Sequence, residues 1–288
     1  MFQKEWEVLV VDDDPDVLAV SRLALKSIRI YGAPLKLHLC GSKAEAVELI
    51  GTKAQLLPAL AVALIDVVME TDTAGLDLCR YIREERNNPL TQLFIRTGQP
   101  GLAPEREVID RYDINGYFNK AEATEDKLYT MIKSGVRQHY WSSFALGTLT
   151  IVSQVNSAMG SRQNVASVLQ QSFEAAFQER AGQAVSSYSN VNCAVLVGND
   201  FLANVGWDER AALAARDRLA AMEGIPLGPD GSQYIIDENY ELLIKVPQPG
   251  GKGDAFTLAT PLFRVPEFVP ANLASALTCY AAAWRQSV

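Results

Sequence analysis

The sequence predicts a doubly wound α/β domain followed by an α+β domain with an antiparallel sheet. The chain has 288 residues, which corresponds to about two domains at roughly 150 residues each. In the first half, short apolar runs alternate with helical patterns, as they do in a parallel sheet. In the second half, pairs of β-rich runs flank turn residues, as in antiparallel hairpins.

The first predicted strand delivers a cluster of carboxylates. The β-rich run at residues 7–11 stops at Asp12 and Asp13, and apolar residues then recur at helical spacing over residues 17–25. The acidic turn therefore lies between the carboxyl end of a strand and the start of a helix, which is where open α/β sheets bind ligands.

Three further strands of this domain end at a polar side chain. The runs 60–65, 93–96 and 116–119 are followed by Asp66, Thr97 and Lys120. A helix is predicted between the first two of these strands, near residues 76–86. Because the carboxyl ends of parallel strands meet at one edge of the sheet, the four strand ends are expected to form one site.

The residue types at this edge suit a divalent cation and a phosphoryl group. Three crowded carboxylates, Asp12, Asp13 and Asp66, need a cation, and Mg²⁺ prefers a few carboxylates together with water and phosphate oxygens. A phosphoryl group carries close to two negative charges. The Lys120 ammonium and the Thr97 hydroxyl are suited to bind it as a point charge and a donor.

In order and spacing, these residues resemble the functional set of CheY-like receiver domains, the flavodoxin-like domains of bacterial two-component response regulators. The resemblance covers roughly residues 6–136. It implies that Asp66 accepts the phosphoryl group and that Asp12 and Asp13 hold Mg²⁺ together with Asp66. It also implies that Lys120 pairs with the phosphate.

The same resemblance implies a switch and an upstream partner. Thr97 would be the switch hydroxyl, and Tyr117 would be the aromatic side chain that rotates into the space that Thr97 vacates. The phosphoryl group would come from a histidine kinase or a phosphotransfer protein.

Two departures from the receiver pattern bear on the site. The loop from Val67 to Gly75 lacks the usual proline after Met69 and is one residue longer than usual, which is expected to affect kinase choice or phosphoryl lifetime. Ala121 stands where many receivers have a proline that orients the preceding lysine.

A long helix is predicted between the domains, because apolar residues recur at helical spacing over residues 127–159. The predicted organisation is a receiver at 1–136, a linker helix at 137–160 and a second domain at 161–288. The helix either pairs with its counterpart in a homodimer or packs on its own domain. His139, placed at the end of the receiver's last helix, is interpreted as a cation favourable to the helix dipole.

The second domain is predicted to contain two helices, a hairpin, a helix, a second hairpin, a strand and a final helix. This order resembles a GAF-like or PAS-type module and an uncharacterised domain found behind receivers, sometimes ahead of HD-type phosphodiesterases. We assign no site residue here, and we interpret the glycine-rich stretch 250–253 as a hairpin tip rather than a phosphate loop.

Composition and charge exclude several function classes. With no apolar run near the roughly 20 residues of a membrane span and no signal peptide, a cytoplasmic protein without membrane insertion is expected. The net charge of −8 disfavours nucleic acid as a partner. Two histidines are too few for a histidine kinase or an HD-type phosphodiesterase. An unrecognised enzyme is a third hypothesis, which the absence of clustered histidines, cysteines or paired carboxylates in residues 142–288 disfavours, so no enzymatic activity is predicted beyond slow self-catalysed phosphorylation and dephosphorylation.

The preferred hypothesis is a response regulator of a two-component phosphorelay. Phosphorylation of Asp66 would switch the dimerisation of the GAF-like domain or its binding to an unidentified downstream protein. One alternative is a dual sensor whose GAF-like domain binds a small molecule or cyclic nucleotide. A second alternative is a pseudo-receiver that keeps the fold without the chemistry.

Overall fold

The computed structural model describes residues 5–98, 105–122, 124–177, 192–225, 231–236, 241–247, 254–259, 266 and 268–287. The chain divides into two compact units, an N-terminal unit formed by Glu5–Ser142 and a C-terminal unit that begins at Ser143. The glycine-rich stretch 250–253 lies outside the described residues.

The N-terminal unit contains a six-stranded sheet. Its strands are β1 (Trp6–Val11), β2 (Arg29–Ile30), β3 (Ala33–Cys40), β4 (Leu60–Asp66), β5 (Gln92–Thr97) and β6 (Gly116–Asn119). Their order is β2-β3-β1-β4-β5-β6. All neighbouring strands are parallel except the short edge strand β2, which is antiparallel to β3. The prediction of a doubly wound, flavodoxin-like sheet is confirmed.

Helices cover both faces of this sheet. They are α1 (Pro15–Leu25), α2 (Lys43–Thr52), α3 (Leu56–Ala59), α4 (Ala74–Arg80), which continues into a π-helical segment Tyr81–Glu85, and α5 (Glu105–Tyr112). A 3-10 turn, Lys120–Glu122, follows β6. Local capping explains where α1 begins: the Asp14 carboxylate accepts a hydrogen bond from the Asp16 amide at 2.9 Å, and Pro15 occupies the first turn.

Helix α6 (Glu125–Ser157) agrees with the predicted long helix. Its first half packs closely on the sheet, because a Cβ atom at Gly135 would lie 2.8 Å from Cγ2 of Val62 and 2.9 Å from Cε2 of Phe94. The ring of Tyr140 lies 5.3 Å from that of Trp6. This half of the helix is therefore an integral part of the N-terminal core.

The C-terminal unit contains α7 (Arg162–Phe177), β7 (Cys193–Val197), β8 (Asp200–Val205), α8 (Glu209–Ala221), β9 (Gln233–Ile236), β10 (Leu242–Val246), β11 (Ala255–Ala259) and α9 (Phe268–Gln286). Its five strands are ordered β8-β7-β11-β10-β9, and every neighbouring pair is antiparallel. The prediction of a separate α+β domain with an antiparallel sheet is confirmed.

One face of this second sheet packs on α8, whose small residues Ala212 and Ala215 contact a cluster that includes Leu243 and Leu258. Helices α7 and α9 contact the sheet and each other, with the rings of Phe173 and Tyr280 6.4 Å apart. Among the helices of the described ranges, none combines the length and the apolar character that a bilayer span requires.

His139 does not occupy a helix end, so its interpretation as a dipole-stabilising cation is wrong. Helix α6 continues to Ser157, and the imidazole is 1% exposed with Nδ1 3.0 Å from the carbonyl oxygen of Leu90. Burial lowers the pKa of His139 to about 4, which keeps the ring neutral.

This buried histidine predicts a pH dependence of stability. The pKa of about 4 in the folded chain lies below the ordinary value of 6.5, so the unfolded chain binds a proton in this window that the folded chain does not. The stability present above the ordinary pKa is therefore lost as the pH falls. We expect His139 to remove about 2–3 kcal/mol between about pH 7 and about pH 4.5.

The measurement is the free energy of unfolding in urea at several pH values. It is obtained from the hydrogen exchange of backbone amides in the strands of the N-terminal unit. In His139→Gln, an amide replaces the imidazole, can still donate to the Leu90 carbonyl and does not titrate. The variant should lose less stability than the wild type on acidification; equal losses in the two proteins would contradict the assignment.

Candidate functional site

Three carboxylates meet at the carboxyl edge of the first sheet. Strands β1 and β4 are neighbours, with Val11 opposite Ile65. Asp12 comes directly after Val11 and Asp66 directly after Ile65, so the two aspartates lie at the ends of neighbouring strands. Both are buried, whereas Asp13 in the following loop is exposed, and oxygen atoms of the three carboxylates lie within 4.8 Å of one another. The structure therefore brings together the three carboxylates that the sequence singled out.

Lys120 joins this cluster from the end of β6. Its Nζ lies 2.6 Å from Oδ2 of Asp66 and 3.0 Å from Oδ1 of Asp12. The lysine reaches both carboxylates with Ala121 in the next position, whose amide donates to Oδ1 of Asn119 at 3.0 Å. The ammonium thus bridges two buried acids that would otherwise repel each other.

Burial and ion pairing oppose each other at Asp66. Burial raises the pKa of Asp66 above the ordinary aspartate range, and the hydrogen bond from Lys120 offsets only part of that effect. Burial lowers the pKa of Lys120, but its hydrogen bonds to Asp66 and Asp12 outweigh burial and raise it overall. The lysine therefore stays charged beside a carboxylate that is more basic than an exposed one.

Arg96 is a member of the site that the sequence reasoning missed. Its side chain is 2% exposed, its Nη2 lies 3.2 Å from Oδ2 of Asp12, and its Nη1 donates to Oγ of Ser21 in α1 at 2.9 Å. The available signal was a charged residue inside an otherwise apolar strand, one position before Thr97.

Thr97 and Tyr117 lie on the same face of neighbouring strands. Thr97 pairs with Asn119, and Ile95 pairs with Tyr117, so alternation along the strands puts Thr97, Ile95 and Tyr117 on one face. Thr97 is 1% exposed, and Tyr117 is half-buried against the core cluster that contains Ile95. Their roles as a switch pair stay predictions.

The donor set fits Mg²⁺. All three ligands offer carboxylate oxygens, which this ion prefers, and the exposure of Asp13 leaves access for the waters that it retains. Asp12, Asp13 and Asp66 are the residues that could hold the ion.

The loop between β4 and α4 is closely fitted to the site. A Cβ atom at Gly75 would lie 1.8 Å from the backbone oxygen of Asp66, so only glycine allows this approach. The Gly75 amide donates to the carbonyl of Val67 at 3.0 Å. Any side chain at this position would displace the strand end that carries Asp66.

The same loop caps a neighbouring helix through Glu70. Its carboxylate accepts hydrogen bonds from the backbone amides of Lys43 and Ala44, both at 3.1 Å, in the first turn of α2. Slight burial favours the protonated acid, but these backbone hydrogen bonds prevail and lower the pKa of Glu70. The lengthened loop is thus tied to α2 as well as to Asp66.

Comparison with known proteins finds a curated relative that matches part of the chain, while no protein-family model matches it. The relative, 3'3'-cGAMP-specific phosphodiesterase 2 of Vibrio cholerae, is 44% identical over 137 residues. The match covers 48% of this chain and 26% of the relative, so the chain spans only a minor part of that protein's length.

Solved structures give matches to about half of the chain. The signal receiver domain of an HD domain-containing protein from Pseudomonas fluorescens is 18% identical, covers 49% of this chain and 94% of that chain, and has a TM-score of 0.42. A structure titled adenylate cyclase from Rhodopirellula baltica is 19% identical, covers 48% and 93% of the two chains, and has a TM-score of 0.41.

These findings bear on two of the predictions. The N-terminal unit has the flavodoxin-like topology of receiver domains and precedes a separate unit with an antiparallel sheet, as predicted. The prediction that the chain is not an enzyme is wrong on this comparison, because the name of the curated relative is that of a phosphodiesterase. The prediction was based on the two histidines of this chain and on the absence of clustered histidines, cysteines or paired carboxylates in the sequence of residues 142–288.

The contacts of Glu70 predict a local change when its carboxylate is removed. In Glu70→Ala, the first turn of α2 loses two hydrogen bonds and a favourable charge at its N-terminus, at a cost of about 1 kcal/mol. We expect the amides of Lys43 and Ala44 to exchange about fivefold faster with deuterium. Asp72→Ala, which removes an exposed carboxylate of the same loop, is the matched control; equal exchange in the two variants would contradict the cap.

Proposed function

We propose that the N-terminal unit is the phosphoryl-accepting receiver of a two-component response regulator, with Asp66 as the acceptor. The observation that supports this most directly is the surroundings of Asp66. Its carboxylate is buried at a strand end, 2.6 Å from a lysine ammonium, with two further carboxylates within 4.8 Å. A structural role in the core explains neither the crowding of acids nor its position at the ligand-binding edge.

In the proposed reaction, a carboxylate oxygen of Asp66 attacks the phosphorus of a phosphohistidine on a kinase or phosphotransfer protein. The new P–O bond forms as the P–N bond breaks, and the histidine nitrogen leaves with the electron pair. Burial raises the pKa of Asp66, which makes its carboxylate a better nucleophile than an exposed one. The Lys120 ammonium lies where it can contact an incoming phosphoryl oxygen.

Mg²⁺ is the ion proposed for this site, held by Asp12, Asp13 and Asp66. When bound, it supplies positive charge that offsets the negative charge of the arriving phosphoryl group. Thr97 is the proposed donor to the phosphoryl group, and Tyr117, on the same face of the sheet, is the proposed responder.

The C-terminal unit is the proposed output. We keep the organisation into a receiver at 1–136, a linker at 137–160 and a GAF-like domain at 161–288 as a proposal, supported by the continuous helix α6 and the antiparallel sheet that follows it. Homodimerisation through the linker and binding of a downstream protein belong to the same proposal.

A second candidate function follows from the curated relative, whose name assigns it hydrolysis of 3'3'-cGAMP. We propose that phosphorylation of Asp66 controls hydrolysis of a cyclic dinucleotide of this class. The identity of 44% over 137 residues is the observation that favours it.

The first proposal predicts a phosphorylated protein. The full chain is incubated with acetyl phosphate with and without MgCl₂, and the products are read by intact mass. We expect one phosphoryl group on the wild type, dependent on MgCl₂, and none on Asp66→Asn. Asp72→Asn is the control for an exposed aspartate and should behave as the wild type; a wild type that takes no phosphoryl group under these conditions would point to a pseudo-receiver.

The second proposal predicts a hydrolytic activity that depends on phosphorylation. The full chain is incubated with 3'3'-cGAMP and MnCl₂, with and without acetyl phosphate. We expect hydrolysis to rise several-fold with the phosphodonor in the wild type and to be insensitive to it in Asp66→Asn. A chain that is phosphorylated and hydrolyses no cyclic dinucleotide would reject this activity and leave the receiver function standing.

A further inference from the structure

A buried arginine beneath the acidic cluster is not accounted for by the proposed phosphoryl chemistry. Strand β5 places Arg96 opposite Asp66, and the Arg96 side chain points to the face that α1 covers, away from the face that carries Ile95. We propose that Arg96 is a positioning residue that occupies one oxygen of Asp12 and thereby sets the affinity of the site for a divalent cation. This inference rests on the cation site of the proposed function, and not on phosphorylation.

Both oxygens of Asp12 already accept hydrogen bonds. Oδ1 accepts from the Asp14 amide at 3.2 Å, Oδ2 lies 3.2 Å from Nη2 of Arg96, and Nζ of Lys120 lies 3.0 Å from both oxygens. Because Asp12 is fully buried, water does not supply further partners. A cation that uses Asp12 must therefore share it with the two basic side chains.

The two basic side chains differ in their freedom to move. The side chain of Lys120 is 23% exposed, on a flexible stem, so the ammonium can swing toward another ligand. Arg96 is 2% exposed, and its second nitrogen donates to Oγ of Ser21. The guanidinium is therefore held under Asp12 as a permanent counter-ion.

The charge of the site follows from this arrangement. Three carboxylates against Lys120 and Arg96 leave one net negative charge, and removal of Arg96 leaves two. Since the attraction for a divalent ion grows with the charge of the site, Arg96 lowers the cation affinity. In return, Arg96 adds a second positive charge beside the buried Asp12 when no cation is bound, where the Lys120 ammonium is shared between Asp12 and Asp66.

One donor of this guanidinium is left unpaired. Within the part of the chain that the structure describes, the buried Nε of Arg96 has no hydrogen-bond partner, which is a free-energy cost that an apolar side chain would avoid. Burial also lowers the pKa of Arg96, against the opposing effect of Asp12 and Asp66. A positive charge at this position is kept in spite of both effects.

The test compares two substitutions that differ in charge. Arg96→Gln keeps an amide that can donate to Asp12 or Ser21 and removes the charge, whereas Arg96→Lys keeps the charge. MnCl₂ is titrated into the unphosphorylated full chain by calorimetry. We expect Arg96→Gln to bind Mn²⁺ about tenfold more tightly than the wild type, and Arg96→Lys to bind within about threefold of it.

A second measurement, the melting temperature with and without MnCl₂, tests the inference even where Arg96→Gln is less stable than the wild type. The rise in melting temperature with MnCl₂ should be larger in this variant than in the wild type, because the cation takes over the role of the missing counter-ion. Equal or weaker Mn²⁺ binding in Arg96→Gln, or a melting temperature that does not respond to MnCl₂, overturns the inference.

The outcomes also separate this inference from the proposed function. Wild-type protein that binds Mn²⁺ and is phosphorylated, with Arg96→Gln binding no more tightly, overturns the role of Arg96 alone. Absence of Mn²⁺ binding in all three proteins overturns the cation site itself. The proposed receiver function and the role of Arg96 then fall together.

Discussion

The N-terminal site depends on holding like charges together at the edge of a parallel sheet. Asp12 and Asp66 are buried at the ends of neighbouring strands, where their mutual repulsion and their loss of water both disfavour the charged forms. The bridging ammonium of Lys120, at 2.6 and 3.0 Å from the two carboxylates, offsets these costs. A cation or a phosphoryl group that binds at this edge must therefore compete with, or pair with, basic side chains that already contact the carboxylates.

Several elements of the unit converge on that cluster. The loop after Asp66 is fitted to the strand end through Gly75 and to helix α2 through Glu70. Helix α1 contributes Ser21 to the guanidinium that holds Asp12. Asp66 is thus linked to α2 through its own loop, and the neighbouring Asp12 is linked to α1 through Arg96.

Helix α6 belongs to the core before it leaves the N-terminal unit. Gly135 allows the helix to approach Val62 and Phe94 closely, and the buried neutral ring of His139 bonds to the backbone ahead of β5. The same helix continues without interruption into residues of the C-terminal unit, so it is the covalent connection between the two units.

The fold class and most of the acidic site could be predicted from the order of residues along the chain. Apolar runs of Val, Ile and Leu are typical of the buried strands of a parallel sheet. Because parallel strands end at the same edge of the sheet, Asp12, Asp66, Thr97 and Lys120 could be predicted to lie at one edge. Strand β3 was missed although Lys36 and His38 alternate with leucines there, a signal of a half-buried strand.

The contacts between side chains that are far apart in the sequence become visible only in the folded chain. Arg96 belongs to the site because the register of its strand directs the side chain toward Asp12 and α1. Its hydrogen bonds to Ser21 and Asp12 join residues that are 75 and 84 positions apart in the chain. The neutral state of His139 likewise depends on burial by distant segments. Local patterns specify periodicity and strand ends, whereas desolvation and charge pairing arise only when remote parts of the chain are packed together.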